Sequence, residues 1–150
     1  MFKWFGKVNF APFTKVTDFA QYLKDGRLMG SKCKKCGATS FPPRADCEAC
    51  MSGDFEFLEM SGKATLHTYT KIVAAPTGFE ELAPYIVGVV DLDEGGRALA
   101  WFGETIKEEE INIGMELQMV PQIFEELEEI KVYYSLEKPG TTWAKTSSAR

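Results

Sequence analysis

The chain has 150 residues, of which 45% are hydrophobic and 26% charged, and a formal net charge of -5. That length accommodates one domain or two small ones and buries roughly 68–70% of the unfolded surface, while the acidic balance argues against a general affinity for polyphosphate. No secretory leader or membrane span is expected, because Lys3, Lys7, Pro12, Lys15 and Asp18 interrupt the start and the longest apolar run is only Tyr85 to Val90, against ~20 residues for a spanning helix. The sequence therefore reads as a cytoplasmic protein, with thiols kept reduced.

The first segment carries Phe2, Trp4, Phe5, Phe10 and Phe13 with neither helical nor strand periodicity. Such an arm packs back on its own domain or docks on another protein, and both readings stand. Thr17 or Asp18 is placed to cap a short helix with Phe19, Tyr22 and Leu23 on one face, ended by Asp25-Gly26. Arm and helix together account for residues 1–30.

Residues 31–53 hold all four cysteines, Cys33, Cys36, Cys47 and Cys50, as two C-x-x-C pairs separated by ten residues. Each C-x-x-C loop points two sulfurs at one place, and two facing loops make a tetrahedral four-thiolate cage. Two disulfides are the alternative, but C-x-x-C bridges belong mostly to redox enzymes. Zinc is the first choice of metal, one ion per chain, and iron as in rubredoxin also suits four thiolates. With four protein ligands the site is closed, so the metal holds the fold and performs no chemistry. Loss of a ligand, as in Cys36→Ser, is expected to unfold this segment and leave the rest standing.

Strands follow. Residues 62–75 are rich in β-formers, with Gly62 as a bulge or bend. Pro76 to Pro84 is a loop, Tyr85 to Leu92 a buried strand, and Asp93-Glu94-Gly95-Gly96 a hairpin turn into Arg97 to Phe102. Thr105 to Glu110 is a helical turn or loop, and Glu116 to Ile123 and Ile130 to Leu136 complete five strands. That order suits an OB-type barrel over residues 54–136. Residues 137–150 form a loose tail apart from Trp143. The fold class is mainly β, with an N-terminal helix and a four-cysteine zinc ribbon before a five-stranded OB barrel.

Cys33-Lys34-Lys35-Cys36-Gly37, Phe41-Pro42-Pro43-Arg44, the run from Ser61 to Thr70, the run from Tyr85 to Gly95, and Ile113 to Leu117 together resemble one family. It comprises the rubredoxin-like zinc-ribbon plus OB-fold proteins associated with acyl-CoA enzymes. The resemblance covers about residues 17–124. The family pattern has Pro after the third cysteine and Gly after the fourth, where this chain has Glu48 and Met51; Gly53 is the nearest glycine available to replace the second. The resemblance implies a companion subunit bound to a thiolase-like or hydroxymethylglutaryl-CoA-synthase-like catalytic partner, helping to shape a CoA or acyl-CoA site shared with it.

The residues themselves supply little for acyl transfer. Every cysteine is committed to the cage, and His67 is the only histidine. Alternation puts His67 on one face with Thr65 and Tyr69, a surface or packing position unless an orienting partner exists. Arg44 and Arg97, with Lys63, are cations that either meet CoA phosphates or stand as solvated surface residues. Trp101-Phe102 reads as core sooner than as an adenine stack, and the acidic runs at 108–110 and 125–129 read as solvated turns. Two rival functions remain: a single-stranded nucleic-acid module, which needs a basic groove that the acidic chain does not offer, and an iron-loaded electron carrier.

Overall fold

The computed structural model describes residues 14–124 and 131–146; the aromatic residues from Phe2 to Phe13 and the acidic stretch 125–129 lie outside the described residues. Helix α1 (Phe19–Lys24) is followed by β1 (Met29–Cys33), β2 (Thr39–Ser40) and β3 (Phe55–Glu59). Next come β4 (Lys63–Ile72), β5 (Tyr85–Leu92), β6 (Arg97–Phe102), β7 (Glu116–Phe124), β8 (Lys131–Glu137) and β9 (Ala144–Thr146).

The N-terminal end of α1 is not capped as the sequence suggests. Asp18 makes no side-chain cap bond, and the Thr17 hydroxyl donates to the Thr14 carbonyl at 2.6 Å instead. Its C-terminal end is a Schellman turn: Gly26 sits at φ +77°, the Arg27 amide reaches the Tyr22 carbonyl and the Gly26 amide that of Leu23.

Two sheets follow. The first is antiparallel, in the order β2-β1-β3. β3 lies in this ribbon sheet, pairing with β1 from Met29–Glu59 to Cys33–Phe55, although residues beyond 53 read in the sequence as barrel. In the second sheet, β4, β5, β6, β8 and β7 follow one another, and β7 returns to pair with β4. This is a closed five-stranded OB barrel. One seam joins Lys63–Thr65 to Glu116–Gln118, and the other is a short parallel pairing of Trp101 and Phe102 with Ser135 and Leu136.

Strand alternation decides what fills the barrel. Ala64, Leu66, Val90, Leu92 and Leu117 are buried in alternation with more exposed neighbours, whereas beside buried Met119 and Leu136 the outward positions Val120, Ser135 and Glu137 are buried as well. A small barrel leaves little interior room, which is why glycine and alanine sit at several inward positions. A Cβ on Gly88 would come within about 3 Å of Leu66, Phe102 and Leu136, so the lack of a side chain there makes space for theirs.

Ribbon and barrel share one core. Leu23, Leu28, Phe41 and Met60 belong to the same buried cluster as Leu66, Val90, Leu117 and Leu136. Phe41, only 4% exposed, packs edge-on against Tyr134 at 5.2 Å and receives Phe19 at 5.7 Å. It thus lies beside the short seam where β8 meets β6. The β5–β6 turn grips the ribbon from the other side: Glu94 accepts Thr39 Oγ1 at its carbonyl and the Ser61 amide at its carboxylate.

The tail differs from the expectation of a loose end. Glu137 is buried, accepting from Ser135 Oγ at 2.9 Å and from the Thr105 amide at 3.0 Å. β9 then pairs in parallel with Gln122–Phe124 of β7, on the length of that strand that β4 leaves uncovered. Trp143 packs against Gly26, where an added Cβ would lie 2.9 Å from the indole. Backbone pairing and one ring hold the tail, and neither has a periodic signature in so short a segment.

Phe41→Ala should therefore damage both sheets at once. A buried Phe lost to Ala costs about 3–5 kcal/mol, which for a chain of this size lowers Tm by roughly 10 °C. Calorimetry checks this, and an unchanged Tm would show that the shared core adds nothing.

Candidate metal centre

The two C-x-x-C loops are built alike. In the first, the Gly37 amide donates to the Cys33 carbonyl and the Cys33 amide to that of Ala38; in the second, Met51 donates to Cys47 and Cys47 to Ser52. Each loop turns back on itself through a residue of positive φ, Gly37 at +77° and Met51 at +58°. Met51 is the one non-glycine residue in that region among the described residues. Gly53 does not take over the role; Met51 itself adopts the left-handed conformation, at a cost that glycine would not bear.

The loops face each other. Cys33 Sγ lies 3.6 Å from Cys50 Sγ, and Cys36 Sγ lies 3.5 Å from Cys47 Sγ. All four sulfurs fall within 4.8 Å of one another. Zinc–thiolate bonds of about 2.3 Å in a tetrahedron separate the sulfurs by about 3.8 Å, so the donor set fits such an ion. It does not fit disulfides, whose sulfurs are bonded at about 2.05 Å.

Electrostatics points the same way. The Cys33 thiol is lowered to about 6, chiefly by the Cys36 amide, and Cys50 is pushed up to about 12. At Cys50 the Ser52 amide draws the value down, and burial and the neighbouring sulfurs outweigh it. Four thiolates cannot share this space without a cation between them. Cationic side chains flank the loops: Lys34 reaches Asp54 at 3.4 Å, Arg44 pairs with Glu48, and Lys15 Nζ donates to the Gly53 carbonyl at 2.8 Å.

The other candidate residues are dispersed. Arg44 is tied to Glu48 on the ribbon and Arg97 to Asp91 on the barrel, and neither lines the cleft of about 330 Å³ between Arg27, Glu59, Gln118 and Trp143. His67 does have the orienting partner that the sequence left unnamed. Its Nδ1 lies 3.0 Å from Asp91 Oδ2, and Arg97 Nε donates to Asp91 Oδ1 at 2.6 Å. Asp91 is held below the usual carboxylate range by the Arg97 hydrogen bond and then by that of His67. All three side chains are about half exposed. His67 also interrupts the alternation of β4, since the register slips between Leu66 and Thr68. The bulge falls there, and Tyr69 no longer shares a face with Thr65.

A four-sulfur ribbon joined to a closed OB barrel defines a class of two-module protein. A rubredoxin-like zinc ribbon model for ChsH2 matches residues 20–56, and the model for the C-terminal OB-fold domain of ChsH2 matches residues 58–122. A DUF35 domain-containing scaffold protein of Methanothermobacter thermautotrophicus is 38% identical over 117 residues, covering 76% of this chain and 87% of that protein. Another, from Methanocaldococcus jannaschii, is 37% identical over 62% of this chain and 66% of its own length. The chain belongs to the DUF35 family. It is also 33% identical, over 55% of its length, to the benzoylsuccinyl-CoA thiolase subunit BbsA of Thauera aromatica, 58% of which is covered. Among solved structures it resembles a chain of the Ltp2-ChsH2(DUF35) aldolase, with a TM-score of 0.66 and 25% identity over 85% of this chain and 98% of that one.

Two outcomes follow for the ribbon. Stripping the metal with a chelator should destabilise the barrel as well, contrary to the expectation from sequence, because Phe41 and Met60 belong to both; amide spectra of β5 and β6 that stay native after chelation would disprove it. Met51→Gly should relieve the left-handed strain by about 1 kcal/mol and slow metal release to a chelator, close to fivefold; faster release would show that the methionine earns its place by contact.

Proposed function

We propose that this chain is the non-catalytic, zinc-binding subunit of an acyl-CoA thiolase-type complex, with Cys33, Cys36, Cys47 and Cys50 holding one structural zinc. The observation that carries this reading is the commitment of all four sulfurs to one cluster. Thiolysis needs a thiolate nucleophile with basic groups to activate it, and no cysteine is left for that role. The relatives named as a thiolase subunit and as part of an aldolase assembly support a catalytic partner.

In this reading the chain acts by assembly. It positions the partner and helps to shape the CoA or acyl-CoA site, for a substrate that is a bulky or aromatic 3-oxoacyl-CoA. Arg44 and Arg97 are the cations offered to CoA phosphates, each released from its present carboxylate when CoA binds. The boundary between the two modules falls near Met60, with β3 counted in the ribbon. Zinc, not iron, is the metal; iron in four thiolates would colour the oxidised protein red, and zinc leaves it colourless.

The test uses a CoA thioester and free CoA, with each subunit assayed alone and then together. This chain alone should give no turnover, and the partner should lose activity or solubility without it. Robust turnover by this chain alone would refute the assignment. In the same assay, Arg44→Ala or Arg97→Ala should raise the partner's KM for CoA about tenfold, since a charge-assisted contact is worth roughly 1.5–3 kcal/mol.

A further inference from the structure

The barrel's outer surface is uneven. Along β7 it is closed, with Val120 at 2% and Gln122 at 8% exposure beside the returning tail. On the strands opposite, the register sends Tyr85, Val87 and Val89 of β5, Leu99 and Trp101 of β6, and Tyr133 of β8 outward, away from Gly88, Val90, Ala98 and Ala100. These residues are continuous. Trp101 stacks on Tyr85 at 4.9 Å, meets Tyr133 edge-on at 5.9 Å, and is met from the 76–84 loop by Phe79 at 6.2 Å. Leu99 is 55% exposed and Phe79 40% exposed.

An outward sheet face is ordinarily polar, and a contiguous aromatic and aliphatic one marks a contact surface. This face also has the anatomy of one. Its centre is apolar, and its two ends are charged. At one end the Asp91 carboxylate clamps Arg97 and His67 in a fixed array. At the other, Glu80 and Glu81 form an acidic 3-10 turn directly after Phe79. Tyr, Trp and Phe anchors inside a polar rim carry most of the energy of a typical interface.

We propose that the outer face of β5, β6 and β8, centred on Leu99 and Trp101 and entered by Phe79, docks the catalytic partner through an apolar patch edged by Lys or Arg. The edge follows from charge complementarity with Glu80 and Glu81. The inference rests on the partner proposed above, and it assigns the surface that the partner uses. It leaves free the metal ribbon and the cleft lined by Arg27, Glu59 and Trp143.

The experiment measures binding of the full chain to a purified thiolase-like protein co-expressed with it. Leu99→Asp and Phe79→Ser change exposed side chains, so both variants should keep their metal content and melting temperature. Each should bind at least tenfold more weakly, and Glu80→Lys with Glu81→Lys should weaken binding most at low salt. Variants that bind like the parent overturn this proposal alone and leave the subunit reading intact. A parent chain that binds no thiolase-like protein removes both. If the chain by itself sediments as a dimer that Leu99→Asp splits, the face belongs to a second copy, and the proposal fails.

Discussion

Four thiolates held within 4.8 Å of one another repel unless a dication lies among them, and that requirement organises the ribbon. The ribbon's first strand ends at Cys33, the hairpin beyond it delivers Phe41, and the second knuckle leads into β3. With the sulfurs gathered, β1 can pair on both sides. Phe41 is then presented to Tyr134 at a defined distance. Metal binding in such sites is folding free energy, and here the folding extends past the ribbon, because the ribbon's apolar residues lie in the barrel's core.

The barrel has its own constraint, which is closure. An OB barrel removes its free edges only if the last strands return to the first and third. The chain does this with two short seams, three pairs on one side and two on the other. Both seams are braced. Gly62, at φ +77°, lets the chain pass a Met119 carbonyl that would lie 2.4 Å from any Cβ. Buried Glu137, bonded to Thr105 and Ser135, fixes the exit from β8. A carboxylate buried without a cation is tolerable only when hydroxyl and amide donors satisfy it, and those donors come from both sides of the parallel seam.

Chemistry and surface separate along the same division. The sulfurs are turned inward upon a closed site, and the single histidine stands on the outside of the barrel, hydrogen-bonded to Asp91, which also pairs with Arg97. An exposed histidine oriented by one carboxylate resembles part of a catalytic pair, but it stands apart from the cleft lined by Arg27, Glu59 and Trp143. Exposed pairs of this kind contribute little to stability; their effect here is to hold the edge of an apolar face in one arrangement.

Local signals sufficed for much of the protein. Cysteine spacing announced the knuckles, Asp25-Gly26 the helix end, and Asp93 to Gly96 the hairpin that joins two apolar runs, because each depends on a few adjacent residues whose chemistry permits one conformation. The five barrel strands and their order along the chain followed from β-forming runs between turn residues; the three ribbon strands and the tail strand did not. The remainder was decided by distant contacts. That β3 joins the ribbon, that the tail returns as a strand, and that Phe41 unites two modules are pairings between segments far apart in the chain, invisible to periodicity. Met51 shows the limit most sharply: its residue type argues against a left-handed turn, and the fixed positions of Cys47 and Cys50 impose one. His67 shows it again, since alternation places its face correctly only until the register slips, and its partner Asp91 lies on another strand. Composition and spacing determined which elements form; cross-strand register and the demand for a single closed core determined which residues meet.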